Sequence, residues 1–414
     1  MLPEVNTKPE KLEKYKDIIK KDLYEEIENL SKDLKGLDLV MVNSTPRGGG
    51  VAEVLKSLIP LLKGCGIRAR WCTIPARNNF FEITKEIHNS LQGKKGVFTE
   101  VDQKKYLKHI EKIAEEVKDM KADTWVIHDP QPAGIIKYVD IKPGILHIHL
   151  DSSSPDKKTW DFFQDFVDDY DRFIFSVKDF MLPGLNEDKV RIFPPAINPF
   201  SLKNDPLKEE RAKDILSNFG VDAERPVIAQ VSRFDPWKDP IGVIKAYKIA
   251  KKEIPGLQLL LVGLFLAHDD PEAMRVFKEV EKEAGDDKDI FLFSDPDRLG
   301  SLSVDSFVNA CQVGSDIILQ KSLKEGFGLT VTEAMWKSKT VIAGDVGGIK
   351  IQIKNGENGF LVSSYEKAAE KIVDLFETPE LKNTIGKRAK ETVREKFLMP
   401  RLLRDYLKLF KEIK

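Results

Sequence analysis

At 414 residues the chain exceeds what one hydrophobic core usually supports, so two domains are expected. Lys and Arg (66) balance Asp and Glu (67), which leaves no global positive field to draw nucleic acid, so any anion binding must be local. The charged fraction of 32% is dominated by Lys and Glu, as in hyperthermophile proteins, and no apolar run approaches the ~20 residues of a membrane helix.

Met1-Leu-Pro-Glu runs straight into charged residues with no apolar segment, so no signal peptide is read. Residues 8–35 are Lys/Glu-rich with Tyr15, Ile18, Ile19, Leu23 and Ile27 at helical spacing, an amphipathic extension packed on the first domain. Strand–helix alternation follows. Leu37 to Asn43 reads as a strand, Gly48-Gly49-Gly50 as a glycine loop, Ala52 to Lys63 as a helix and Arg68 to Ile74 as a strand. Further strands are expected at Thr124 to His128, Ile145 to Leu150, Arg172 to Ser176 and Val190 to Phe193. The Pro-rich stretch Phe193 to Pro199 reads as an interdomain linker. A second set comprises Val227 to Val231, Gln258 to Val262, Ile290 to Phe293, Asp316 to Gln320, Val341 to Ala343 and Phe360 to Val362. The final run, Phe397 to Ile413, has helical periodicity. Such alternation argues an α/β fold with doubly wound parallel sheets, divided as 1–198, 199–396 and a terminal helix 397–414. Cys65, Cys72 and Cys311 are odd in number and lack metal spacing, which points to a reduced, cytoplasmic protein.

The most informative stretch is Glu325-Gly-Phe-Gly-Leu-Thr-Val-Thr-Glu333. Gly326 and Gly328 permit a sharp turn and close backbone approach to a ligand. A helix starting near Gly328 would aim its free N–H groups, around Phe327, Leu329 and Thr330, at an anion such as a diphosphate. At ~1.5 Å rise per residue, Glu325 and Glu333 would lie roughly 8–10 Å apart and flank it. Each carboxylate suits a vicinal diol, one on a hexose and one on a ribose. Upstream, the strand Val227 to Val231 delivers Ser232-Arg233-Phe-Asp-Pro-Trp-Lys238 at its C-terminal end, where ligands bind in open α/β sheets. Arg233 and Lys238 can neutralise the charge that grows on a departing diphosphate.

These residues resemble the retaining glycosyltransferases of family 4, which have the GT-B fold of two Rossmann-like domains facing a cleft. Glu325 and Glu333 match that family's E-x7-E motif, and Ser232-Arg233 with Lys238 its donor-phosphate cations. Gly48, Gly49 and Gly50 resemble its glycine loop beside the diphosphate, and Gly344-Asp-Val-Gly-Gly-Ile349 with Asn355 to Val362 its last two strands. Within it, Arg47 to Glu53, His128-Asp-Pro-Gln131 and His149-Leu-Asp151 are most similar to the trehalose synthases of the glycosyltransferring type. The resemblance implies a retaining transfer of glucose from a nucleoside-diphosphate glucose to free glucose. It places Glu333 on the ribose, Glu325 on the hexose, Arg233 and Lys238 on the leaving group, and His149 near the transferred sugar. His128, Asp129 and Asp151 fall on the acceptor side, and the terminal helix crosses back onto the first domain.

Other constellations yield less. His147, His149 and Asp151 alternate along one expected strand, but adjacent positions on a straight strand converge poorly on one ion, so no metal is assigned. Asp295-Pro-Asp297 and Asp169-Tyr-Asp171 spell D-x-D in the wrong context and read as loop carboxylates. No cofactor is required for the chemistry; Mg2+ can accompany the diphosphate without being a bound catalytic ion. Trp160, Phe162, Phe163 and Phe166 read as a core-facing helix, with a sugar-stacking surface as the alternative. The glycine run lacks the G-x-G-x-x-G spacing and its acidic partner, against an oxidoreductase. A related transferase with a sugar-phosphate, glycerate or fructose acceptor is the alternative on the same scaffold, the phosphorylated one kept open by Arg47, Arg68, Arg70 and Arg77, and a non-catalytic nucleotide-sugar binder is the alternative from another class. The partners expected are small molecules, with no nucleic acid or membrane; a homodimer is a guess without a sequence feature behind it.

Overall fold

The computed structural model describes residues 2–414 apart from 48, 76, 77, 223 and 265–270, so Gly48 and Arg77 lie outside the described residues. The chain divides into two compact units, Met1–Ala196 with Met399–Lys414, and Ile197–Leu398.

The first unit holds six strands: β1 (Asp38–Asn43), β2 (Arg68–Thr73), β3 (Thr124–His128), β4 (Gly144–Ile148), β5 (Arg172–Phe175) and β6 (Val190–Ile192). All pair in parallel, in the order β2-β1-β3-β4-β5-β6. The chain moves outward from β1 to β2 and then returns to β3 on the other side, so the winding reverses between β1 and β3. The second unit repeats the plan with β7 (Val227–Val231), β8 (Gln258–Val262), β9 (Ile290–Phe293), β10 (Ile317–Gln320), β11 (Thr340–Gly344) and β12 (Phe360–Val362). Its order is β12-β11-β10-β7-β8-β9, which puts the reversal between β7 and β10. Central strands such as β3 and β7 are buried along their whole length because helices cover both faces, and that is why they read as apolar runs without alternation.

All twelve expected strands form, with shifts at their ends. β10 begins at Ile317, one residue later than the expected Asp316. β4 ends at Ile148, so His149 and Asp151 lie beyond it, and the expectation of one straight strand through all three positions is corrected. The N-terminal extension is two pieces, a short 3-10 turn Leu12–Tyr15 and the helix Lys21–Asp33, with Tyr15, Ile19 and Ile27 in the core. The aromatic run lies on the helix Lys157–Val167, whose Trp160, Phe163 and Phe166 are buried and whose Phe162 packs edge-on to Phe163 and Phe166, as the core reading expects. The terminal helix Met399–Ile413 packs in the first unit, where Lys408 Nζ meets Glu26 Oε1 at 2.6 Å and Lys411 Nζ meets Asp33 Oδ2 at 2.6 Å.

Candidate functional site

In doubly wound sheets a ligand crevice forms where the winding reverses, at the C-terminal ends of the two strands flanking the reversal. In the second unit those strands are β7 and β10, and their following segments are the Arg233–Lys238 and Lys321–Gly328 loops. The two loops are tied together. Leu323 N donates to Trp237 O at 2.8 Å, Lys321 pairs with Asp239 in a largely buried contact, and Lys238 Nζ donates to Glu325 Oε2 at 2.5 Å. Ser322 Oγ donates to the same Glu325 oxygen at 3.2 Å. Behind it, Gln320 Nε2 donates to Ser322 Oγ at 3.1 Å and Thr330 Oγ1 donates to Gln320 Oε1 at 3.2 Å. A relay of hydrogen bonds thus runs from the first turn of the Leu329–Trp336 helix to the Glu325 carboxylate. Lys238 and Glu325 are 19% and 9% exposed, so each neutralises a charge that would otherwise be costly to bury. Glu325 Oε1 has no hydrogen-bond partner among the described residues.

Gly328 flanks that helix at φ 86°, a left-handed conformation that L-residues adopt at a cost. Gly348 allows another close approach: a Cβ there would sit 2.3 Å from Gly326 O. Gln352, buried, donates from Nε2 to Phe327 O at 2.5 Å and to Gly348 O at 3.3 Å, which fixes the Gly326–Gly328 backbone from below. Phe327 is itself buried and packs on Phe397. Glu333 is buried one turn into the helix. Lys337 Nζ donates to Glu333 O at 3.2 Å and to Asn204 Oδ1 at 2.9 Å. Burial pushes the Lys337 ammonium down to about 8, against the pull of the Glu333 carboxylate. Arg233 is apart from this group: its side chain is 74% exposed and meets Asp235 Oδ2 at 3.3 Å.

In the first unit the reversal lies between β1 and β3. Gly49 and Gly50 follow β1, exposed, at the start of the helix Gly50–Gly64. At the ends of β3 and β4 three imidazoles collect. His128 Nδ1 and His149 Nε2 are 3.0 Å apart, the His147 and His149 rings stack at 3.8 Å, and His147 Nδ1 meets Tyr406 Oη at 2.6 Å. Asp129, at φ 65°, accepts from His149 N at 2.8 Å through Oδ1, and its own N–H donates to His147 O at 2.9 Å. Burial pushes the Asp129 carboxyl up to about 7, the His149 N–H pulling it back only in part. Burial pushes all three imidazoles down, His149 to about 3. The expected grouping of His147 and His149 with Asp151 is therefore corrected: His128 takes the third place, and Asp151 turns away to accept from Ser153 Oγ at 2.7 Å.

Two family models divide the chain, the trehalose synthase N-terminal domain over residues 41–182 and the glycosyl transferases group 1 over residues 212–392. A trehalose synthase of Pyrococcus horikoshii is 44% identical over 97% of this chain and 96% of its own length. One of Rubrobacter xylanophilus is 40% identical over 100% of this chain and 99% of its own. The chain belongs to the trehalose synthase family of glycosyltransferases. Among solved structures, a sucrose-phosphate synthase from Thermosynechococcus elongatus superposes with a TM-score of 0.69 at 17% identity, covering 90% of this chain and 98% of its own. At that identity the likeness speaks for the GT-B fold alone.

Several residues that shape this candidate site of the trehalose-synthase-family chain were not legible as such in the sequence: Ser322, Gln320, Gln230, Gln352 and the Asp239–Lys321 pair. One signal was available. Gln230 and Gln320 are polar residues near the C-terminal ends of otherwise apolar strands, and each is buried with a task, Gln230 Nε2 donating to Lys238 O at 2.7 Å. The D-x-D carboxylates bond to backbone instead, Asp295 Oδ1 accepting from the nearby Asp297 N at 2.9 Å and Asp171 Oδ2 from Gly144 N, at the start of β4, at 2.8 Å.

Proposed function

We propose that the protein transfers glucose from a nucleoside-diphosphate glucose to the anomeric hydroxyl of free glucose, with retention, forming trehalose. The observation that carries this reading is the Lys238–Glu325–Ser322 group at the β7/β10 reversal, in a chain of the trehalose synthase family. Glu325 offers its open oxygen to hexose hydroxyls, and Glu333 binds the ribose. Backbone N–H groups from Phe327 to Thr330 hold the phosphates at a helix N-terminus. Lys238, and Arg233 from its exposed position, neutralise the leaving diphosphate. The bond from glucose C1 to the phosphate oxygen breaks as the bond to the acceptor oxygen forms on the same face. The acceptor proton passes to the leaving phosphate oxygen, so neither a protein nucleophile nor a bound catalytic metal is part of the proposal.

A phosphorylated acceptor is disfavoured by the placement of two candidate arginines. Arg68 and Arg70 sit in the first half of β2, at the end of the sheet away from the strand C-termini, and Arg70 Nη2 is paired with Asp38 Oδ1 at 2.9 Å. The test is NMR identification of the product after incubation with UDP-, ADP- or GDP-glucose and free glucose at high temperature. An α,α-1,1 disaccharide is expected. Nucleotide release only with a sugar phosphate would refute the acceptor.

A further inference from the structure

The three-imidazole cluster contains a problem of protons. His128 and His147 are almost fully buried, and Nε2 of each has no hydrogen-bond partner among the described residues. His149 is only half-buried. Its Nε2 is committed to His128, and its Nδ1 is neither bonded to a described residue nor among the buried orphaned atoms, so Nδ1 is the ring nitrogen open to a ligand.

Between neutral imidazoles a contact of 3.0 Å needs one proton, and it can sit on either side. If His149 donated, His128 would carry its own proton on Nε2, a buried N–H with nothing to donate to. If His128 donates from Nδ1, only a bare acceptor nitrogen is orphaned. Buried unpaired N–H groups are the rarer of the two.

We propose that His128 fixes the tautomer of His149: His128 Nδ1–H donates to His149 Nε2, so that His149 presents Nδ1–H as a hydrogen-bond donor to a sugar oxygen. His128 is then a positioning residue. Stacking on His147, itself held by Tyr406 Oη of the terminal helix, sets the plane of the His149 ring. The backbone hydrogen bond from His149 N to Asp129 Oδ1 fixes its place along the chain. Burial keeps all three rings neutral through the physiological range, so the tautomer and not the charge defines what the site offers. A shared metal ion is the competing use of three histidines whose ligand atoms lie within 4.8 Å of one another. The His147 and His149 rings, however, lie 25° from parallel in a stack, so their in-plane lone pairs run side by side instead of converging.

The sugar as ligand rests on the proposed glucose transfer; the tautomer does not, and the experiment separates them. In the full chain labelled with 15N-histidine, long-range 1H–15N correlation at neutral pH is expected to show His149 protonated on Nδ1 and bare on Nε2. The opposite pattern, or stoichiometric zinc on these histidines in the purified protein, would overturn the proposal. In His128→Leu the two tautomers of His149 should mix, and kcat/KM for glucosyl transfer should fall by about 10–100-fold, the range found for groups that orient metal-bound imidazoles. His128→Asn places an N–H where Nδ1–H was and should restore both. A His149 that keeps Nδ1–H in His128→Leu would also overturn the proposal, whatever product the enzyme makes.

Discussion

Glu325 has one oxygen committed to Lys238 and Ser322 and one open, so its orientation depends on two partners of different kinds. Lys238 is expected to act on the leaving group as well. Lys238→Ala should lower kcat for glucosyl transfer by about 10²–10³-fold, as for other groups that stabilise developing charge. Ser322→Ala removes one hydrogen bond to a charged group, worth about 1.5–3 kcal/mol, and should cost about 10–100-fold in kcat/KM. Steady-state kinetics checks both, and a Lys238→Ala enzyme with parental kcat would refute the leaving-group role. Asp129 gives a different signature, in stability. Its carboxyl is raised from 3.8 to about 7, mainly by burial. Between those values the folded protein holds a proton that the unfolded chain has released, so this contribution to stability is present at low pH and is lost as pH rises through about 7. Asp129→Asn should flatten the fall in Tm between pH 4 and 8, measured by calorimetry against the parent.

The helix Leu329–Trp336 spans only eight residues, yet it carries Thr330 and Glu333 and starts at the turn that presents Glu325. Its position depends on Gly328 at φ 86°, where a Cβ would also approach Glu325 Cγ to 3.2 Å. Gly328→Ala should therefore destabilise the protein by about 1–2 kcal/mol for the left-handed conformation. It should also raise KM for the donor, because the strain is relieved by shifting the loop proposed to hold the phosphates. Urea denaturation and donor-saturation kinetics would show the two effects together; loss of stability with an unchanged donor KM would disconnect this turn from binding. The motif around Gly348 acquires a physical meaning at the same scale: it is the place where a neighbouring loop must pass within van der Waals contact of Gly326.

The terminal helix shows how far the chain's order and its spatial organisation differ. Although it follows the second unit in sequence, it completes the core of the first, burying Met399, Leu402, Leu403, Tyr406, Leu407, Leu409 and Phe410 to 2% exposure or less. At ~1.5–3 kcal/mol for each large apolar side chain, this burial is of the order of 10–20 kcal/mol. That is comparable to the whole stability of a typical domain, about 5–15 kcal/mol. A chain ending at Leu398 should lose cooperative unfolding of the first unit while the second unit keeps its own transition. Calorimetry or limited proteolysis of the truncated protein would detect the difference, and an unchanged first transition would show the helix to be dispensable.

The central strands were readable from residues alone because helices on both faces leave them buried and apolar over most of their length, and strand–helix alternation left a parallel sheet as the natural answer. The Glu325–Gly–Phe–Gly stretch was readable because its chemistry is local: a turn, a helix start and two carboxylates within nine residues. Strand order was not legible, since an apolar strand pairs equally well with any other. The partners that orient the site were not legible for the same reason. Lys238 reaches Glu325 across 87 positions, His128 reaches His149 across 21, and Tyr406 reaches His147 across 259. Such pairs leave no periodicity for the sequence to display; they exist because folding brings the ends of β7 and β10, and of β3 and β4, side by side. Asp151 marks the limit from the other direction, since its spacing from His147 and His149 promised a shared face only for as long as the strand continued, and β4 ends at Ile148.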